Sequence, residues 1–281
     1  MKEEEIKKVV REGYAQIVRQ ESSCCGPAST CGSNYAETAS KQIGYSDEEL
    51  GAVPEGANLG LGCGNPVALA SLKEGEVVVD LGSGAGFDCF LAAQRVGPGG
   101  KVIGVDMTPE MIDKARANAR KGELENVEFR LGEIENLPVA DNLADVVISN
   151  CVINLSPDKP RVFEEAFRVL KPGGRLLVSD IVLLKELPDF IKNSLEAYIG
   201  CLSGAIMREQ YTATIKAAGF QRVRITDEAT FPIKLMANDP TVGAIIENLE
   251  VSPDKVKEVA NSVVSLKVYG LKPDSKVQRP F

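Results

Sequence analysis

From Gly75 onward the chain alternates short β-branched runs with helical segments, and this rhythm constrains the fold more than any other feature. VVVDL (Val77–Leu81) reads as a buried strand, followed by a glycine loop and an apolar helix over Phe87–Val96. GPGG (Gly97–Gly100) turns the chain into a second strand, Val102–Asp106. Thr108 and Pro109 then open a helix to about Lys121, Thr108 as cap and Pro109 in the first helical position. Val127–Leu131, Ala144–Ser149 and Arg175–Ile181 read as further strands. The helix before the last of these is expected from Ser156-Pro157 to LKPGG (Leu170–Gly174). Apolar strands that alternate with helices need cover on both faces, so the expected fold is a doubly wound, mostly parallel α/β sheet.

The flanks are less regular. Ile6, Val9, Val10, Ile17 and Val18 fall at helical spacing and predict an amphipathic helix over Met1–Gln20. It ends in a small, cysteine-rich loop, SSCCGPASTCGSN (Ser22–Asn34). Ser46 and Glu49 have capping-box spacing, so a short helix should start there. In GLGCGNP (Gly60–Pro66), Asn65 can cap a helix whose first residue is Pro66. Beyond Leu184, helices are expected near Pro188–Gly200 and Arg208–Gly219, and strands at Arg222–Thr226 and Ser262–Tyr269, with a helical insertion over 232–261. The expected organisation is an N-terminal helix with cysteine-bearing loops (1–74), an α/β core (75–184), a helical substrate lid (185–220), and C-terminal strands that complete the sheet (221–281).

Composition narrows the chemistry. There is no histidine, whereas cysteine occurs seven times. Without histidine, Ser-His-Asp and Cys-His hydrolases, His-ligated zinc enzymes and histidine proton shuttles are excluded. Lys plus Arg is 32 and Asp plus Glu is 40, a balance of −8, which argues against nucleic-acid or anionic-membrane partners. No apolar run approaches the roughly 18 residues of a membrane helix. The charged start, MKEEEIKKVV, has no apolar secretory segment, so the thiols are expected to be cytoplasmic and reduced.

Asp80-Leu81-Gly82-Ser83-Gly84-Ala85-Gly86 lies between a strand and a helix, where glycines let the backbone approach a nucleotide. A dinucleotide fingerprint beginning at Gly82 would need glycine at the position of Phe87, so the spacing is G-x-G-x-G. Asp106, 24 residues beyond Gly82, ends the second strand, where its carboxylate can accept from both hydroxyls of a ribose. Met107 can lie against an adenine face. The loop, LGEIENLP (Leu131–Pro138) and LKPGGRLLVSD (Leu170–Asp180) together resemble class I, Rossmann-like S-adenosylmethionine (AdoMet) methyltransferases over about Gly75–Ile181. That resemblance implies an AdoMet site on Asp80, Gly82, Ser83, Gly84, Gly86, Asp106, Met107 and Asn150, with Ile134 and Glu135 near the adenine amine.

The cysteines carry the substrate question. Cys24, Cys25 and Cys31 lie in the N-terminal loop, Cys63 in GLGCGNP, and Cys89 on an apolar helix face with Phe87, Phe90 and Leu91, where core packing is expected. Cys151 follows a sheet strand at its carboxyl end, where open α/β folds bind ligands, and Cys201 lies in IGCLSGA (Ile199–Ala205). GLGCGNP, SNCVINLSPDK (Ser149–Lys159), CLSGA (Cys201–Ala205) and the N-terminal cluster resemble arsenite S-adenosylmethionine methyltransferases from about Ser22 to Ala218. The resemblance implies an As(III) site of thiolates on Cys63, Cys151 and Cys201. It also implies a redox-active cysteine among Cys24, Cys25 and Cys31, and an external thiol reductant such as thioredoxin or glutathione. The expected substrate is As(III) or its thiol conjugate, and the expected state is a monomer.

This chemistry suits a chain without histidine. As(III) is thiophilic, and arsenic bound by three sulfurs keeps a lone pair that can attack the AdoMet methyl without a general base. Two other readings remain open at this stage. One is a methyltransferase for an organic molecule of quinol or sterol type; the other is a non-catalytic, thiol-based metalloid binder. Structural zinc would need four ligands, and no C-x-x-C occurs.

Overall fold

The computed structural model describes residues 3–22, 32–188, 191, 201–230, 259 and 261–274. Cys24, Cys25 and Cys31 lie outside them, as do most of the helix expected over Pro188–Gly200 and of the insertion at 232–261. The helices are α1 (Glu3–Ser22), α2 (Gly32–Gln42), α3 (Asp47–Gly51), α4 (Pro66–Leu69), α5 (Phe87–Val96), α6 (Pro109–Lys121), α7 (Lys159–Val169) and α8 (Arg208–Ala217). The strands are β1 (Val77–Leu81), β2 (Lys101–Asp106), β3 (Val127–Leu131), β4 (Ala144–Asn150), β5 (Leu170–Leu183), β6 (Gln221–Thr230) and β7 (Val263–Leu271).

The strands form one seven-stranded sheet in the order β3-β2-β1-β4-β5-β7-β6. β1 to β5 are parallel, and β7 runs antiparallel between β5 and β6. Alternating residues feed opposite cores, as a pleated strand requires. Val79, Val147, Leu176 and Val178 enter the cluster under α7 and α8, whereas Val78, Val146, Ile148 and Leu177 enter the one under α5. Among the described residues no helix is long and apolar enough to cross a membrane.

Local chemistry explains where the elements differ from expectation. Ser46 and Glu49 form the capping box, and Asn65 Oδ1 accepts the Ala68 N–H at 2.9 Å, so α3 and α4 start as expected. Helix α7 starts later than Ser156-Pro157, because Asp158 is its cap and accepts the Arg161 N–H at 3.0 Å. It ends at Val169, and LKPGG opens β5 instead of closing the helix. Leu170 pairs with Ala144 and Arg175 with Val146, so the residues between them bulge from the strand. Thr108 occupies the cap position of α6, but its side chain makes no capping bond. Helix α2, whose polar GSNYAETASKQ gives little periodic signal, partly replaces the expected loop.

Candidate active site

The strand order reverses on the two sides of β1, and a cleft opens there beyond the carboxyl ends of the strands. Its volume is about 1060 Å³, the open mouth included. Asp80, Gly82, Ser83, Gly84, Asp106 and Met107 line it, as do Ile134, Glu135 and Asn150. Gly86 does not; its Cα faces the Phe90 and Phe129 rings, which a Cβ would meet at 2.6 and 2.8 Å.

The glycine loop is bent by its own backbone. Gly82 (φ +69°) and Ser83 donate their N–H groups to the Val105 carbonyl at 2.8 and 3.0 Å. A Cβ on Gly82 would overlap Val152 at 2.3 Å, so a side chain is excluded there by space and by conformation. Gly84 N–H donates to Asp106 Oδ2 at 3.0 Å, and Thr108 N–H to Oδ1 at 2.8 Å. These bonds fix the carboxylate at the cleft wall and leave about half of its acceptor capacity. Ser83 Oγ is buried and has no hydrogen-bond partner among the described residues. On the opposite wall, α1 contributes Lys7, Val10 and Tyr14. Lys7 pairs with Glu133 at 2.7 Å and Glu135 at 3.6 Å, and Glu135 also accepts from Ser156 Oγ at 2.6 Å.

Cys151 lies on the cleft wall, and Cys63 and Cys201 lie behind it in one buried cluster. All three are free thiols. Cys63 is held by three strands. Its N–H donates to Asn150 Oδ1 at 3.0 Å, its thiol to the Ser179 carbonyl at 3.4 Å, and its carbonyl accepts from Ser265 Oγ at 2.6 Å. The Cys201 thiol donates to the Cys151 carbonyl at 2.9 Å. Cys151 and Cys201 both have left-handed backbones, φ +58° and +62°, which cost of order 1 kcal/mol in a residue with a Cβ. Burial pushes the Cys63 thiol above its ordinary range, and neighbouring Cys201 and Cys63, with burial, push Cys151 well above it. Cys89 is fully buried, donates to Asp80 at 3.2 Å and belongs to the core.

A family model described as a methyltransferase domain matches residues 72–219, more than half of the chain. An arsenite methyltransferase of Halobacterium salinarum is 51% identical over 237 residues, 81% of this chain and 61% of that protein. The human arsenite methyltransferase is 34% identical over 231 residues, 78% of this chain and 59% of that one. Among solved structures, an arsenic(III) S-adenosylmethionine methyltransferase from Chlamydomonas reinhardtii is 32% identical with a TM-score of 0.61, covering 87% of this chain and 75% of that one. The chain belongs to the arsenite methyltransferase family. It spans about three-fifths of the length of the curated relatives it matches.

Around this family's frame, the structure adds side chains that the sequence reading left without a role. Asp180 Oδ1 accepts from Asn154 Nδ2 at 2.9 Å and Oδ2 from the Tyr211 hydroxyl at 3.1 Å. Burial pushes its carboxyl up to about 7, offset by the Lys159 charge and the Tyr211 bond. Lys159 is buried too and donates to the Ser156 carbonyl at 3.1 Å. A second network joins the cleft to the Cys63 loop: the Tyr45 hydroxyl donates to Asp88 at 2.6 Å, and Asn150 Nδ2 donates to Asp88, Tyr45 and the Gly64 carbonyl. Asp180 had one available signal, its place as an acidic residue near the carboxyl end of an apolar strand expected over Arg175–Ile181.

Proposed function

We propose that the protein transfers the methyl group of AdoMet to trivalent arsenic held by Cys63, Cys151 and Cys201. The observation that carries the reading is Cys151, which shares a wall with the glycine-loop cleft while its thiol belongs to the buried cluster. The cleft suits AdoMet on its own chemistry. The Asp106 carboxylate, with acceptor capacity left, suits the ribose hydroxyls, and the partnerless Ser83 Oγ offers a further polar contact. Gly82, Gly84, Asp80, Met107 and Asn150 complete the wall, with Ile134 and Glu135 toward the adenine. Gly86 acts through loop packing.

The raised thiol pKa values suit this chemistry. Arsenite arrives with hydroxide ligands, and each As–S bond forms as one thiol proton leaves with one hydroxide as water, so no protein base is needed. The arsenic lone pair then attacks the sulfonium methyl, the S–CH3 bond breaks, and S-adenosylhomocysteine departs. The chain contributes position and exclusion of water, the terms that dominate when the nucleophile carries no proton. Methyl transfer leaves arsenic formally As(V). Two thiols closing to a disulfide supply the two electrons that return it to As(III), and an external thiol reductant, the thioredoxin dithiol or two glutathione molecules, reopens the disulfide. We assign the donor pair to Cys63 and one of Cys24, Cys25 and Cys31. The relay suits a reducing, cytoplasmic setting and needs only one copy of the chain.

The test is product speciation over time with arsenite, AdoMet and a thiol reductant, run on the unaltered chain and on Cys63→Ser, Cys151→Ser and Cys201→Ser. Methylated arsenic should form with the unaltered chain and fall by at least a hundredfold in each variant, with AdoMet affinity retained. Full turnover in any variant would overturn the three-thiol site. Turnover on an organic acceptor that survives alkylation of every thiol would overturn the substrate. Loss of multiple turnover, but not of the first, after replacing Cys24, Cys25 and Cys31 together would support the relay.

A further inference from the structure

The thiol cluster has a fourth donor that trivalent arsenic does not need. Cys63 Sγ, Cys151 Sγ and an Asp180 carboxylate oxygen lie within 4.8 Å of one another, all buried. Cys201 adjoins them, its thiol on the Cys151 carbonyl at 2.9 Å. As(III) bound by three sulfurs is a pyramid whose apex is a lone pair, so Asp180 has no bond to make to it. A thiophilic divalent cation is different: zinc takes four donors in a tetrahedron, with Zn–S near 2.3 Å and Zn–O about 2.0–2.2 Å.

We propose that Cys63, Cys151, Cys201 and Asp180 form a tetrahedral site for a zinc-class divalent cation, and that this cation competes with As(III) for the shared thiols. Tetrahedral edges for these bond lengths are roughly 3.5–3.8 Å, so Cys63, Cys151 and Asp180, within 4.8 Å of one another, need to draw in by about an ångström, and the Cys201 thiol must leave the Cys151 carbonyl and turn inward to complete the set. The Asp180 carboxyl is already aimed by Asn154 and Tyr211, as outer partners aim a ligating carboxylate. Lys159 supplies a buried positive charge beside it. Binding would release the three thiol protons to solvent, with no change of oxidation state. Asp180 thereby becomes the residue that separates the two ligand classes, since only the tetrahedral ion uses it. No paired C-x-x-C announces such a site, because its donors come from three separated loops and a position within β5.

The test uses the full chain with Cys24, Cys25 and Cys31 replaced by serine, so that the N-terminal thiols cannot bind metal, and reduced with a phosphine. Titration with Co2+ should give one equivalent per chain with sulfur-to-cobalt charge-transfer bands and a tetrahedral ligand field, displaced by Zn2+ and by one equivalent of As(III). X-ray absorption of the zinc form should show three sulfurs near 2.3 Å and one oxygen near 2.0 Å. Asp180→Asn, which keeps an acceptor for Asn154 and a donor that the Tyr211 hydroxyl can accept, should weaken zinc at least tenfold and As(III) less than twofold. Substoichiometric cobalt, a shell without the oxygen, or equal losses for the two ligands would overturn the proposal. If Asp180→Asn does not fold, the absorption shell and the competition on the Asp180-bearing chain decide alone. The proposal shares its thiols with the arsenic reading but fails separately. Zinc bound with oxygen but no As(III) binding sinks the metalloid substrate and the competition while the four-donor site stands, and As(III) bound with no zinc site sinks only this inference.

Discussion

Asn150 clamps the Cys63 loop from both ends of its carboxamide. Oδ1 accepts the Cys63 N–H at 3.0 Å while Nδ2 donates to the Gly64 carbonyl at 2.8 Å, so the last residue of β4 fixes the loop 87 positions earlier in the chain. The next residue after Asn150 is Cys151, and its own N–H is tied to the Ser179 carbonyl at 2.8 Å. One turn of backbone therefore sets two of the three thiols relative to each other. Asn150 also lines the cleft, which makes it a joint between the AdoMet side and the thiol side.

Asn150→Ala tests which side depends on it more. The truncation leaves a backbone donor and a backbone carbonyl unpaired, each at a cost of about 1–3 kcal/mol where water cannot reach them. The Cys63 loop should loosen, and As(III) affinity should fall at least tenfold, with AdoMet affinity falling less. Parallel calorimetric titrations with the two ligands measure this. A loss confined to AdoMet would make Asn150 a cofactor residue alone.

Asp106→Asn should act in the opposite direction. Both carboxylate oxygens face backbone N–H groups, from Gly84 and Thr108, so an amide must turn an NH2 toward one of them. The glycine loop then loses one anchor, and the acceptor set offered to ribose is halved. AdoMet affinity should fall by at least tenfold, with As(III) affinity within twofold of the parent. If AdoMet binding were unchanged, Asp106 would be a structural strand-end residue and nothing more.

These two positions also show what the amino-acid order could and could not reveal. The parallel core was readable because its signal is local: β-branched runs, a glycine loop and capping residues each report on a few neighbours. Asp106 was found the same way, from its distance to Gly82 within one βαβ unit. The clamp on Cys63 was not, because Asn150, Gly64, Asp88 and Tyr45 meet only after the sheet has formed. Asn150 consequently read as a cleft residue alone. Asp180 lies one residue before the end of the strand expected over Arg175–Ile181, yet its proximity to Cys63 and Cys151 depends on how β4, β5 and the Gly60–Pro66 loop stack. Helix α2 was missed for a different reason: its composition is polar and small, so burial of Ala36 and Ala39 against the Gly60 loop defines its face.

Gly64→Ala should displace Cys63 without touching a thiol. A Cβ at this position would lie 2.0 Å from Ser179 Oγ and 3.1 Å from Lys267 Cε. Ser179 is fully buried within β5 and cannot step aside, so the loop must move instead. Overpacking of this kind costs about 1–3 kcal/mol. The expected result is a lower melting temperature and a Cys63 thiol that alkylates faster than in the parent, read by mass spectrometry after a timed pulse of iodoacetamide. Parent-like protection of Cys63 would mean that the loop tolerates the methyl group and that Gly64 is not what seats it.

The Asp88 carboxyl makes a prediction about pH. Burial pushes it up to about 6 from an ordinary value of 3.8, although Tyr45 and Asn150 both donate to it. Between those two values the folded chain holds a proton that the unfolded chain releases. The contribution of this group to stability therefore falls as pH rises from about 4 to about 6 and stays level above that, a swing of about 3 kcal/mol. Asp88→Asn removes the titration. Its amide also faces Asn150 Nδ2, which adds a cost, but one that does not vary with pH across this window. Urea unfolding of both proteins at pH 4, 5, 6 and 7 reads the effect: groups remote from Asp88 cancel in the difference, and Asp80, whose carboxyl the Asp88 charge helps to push up, adds a change of the same sign. Relative to the parent, Asp88→Asn should gain about 2–3 kcal/mol between pH 4 and pH 7. A difference that stays flat across the series would mean that Asp88 is ionised throughout, held so by its two donors.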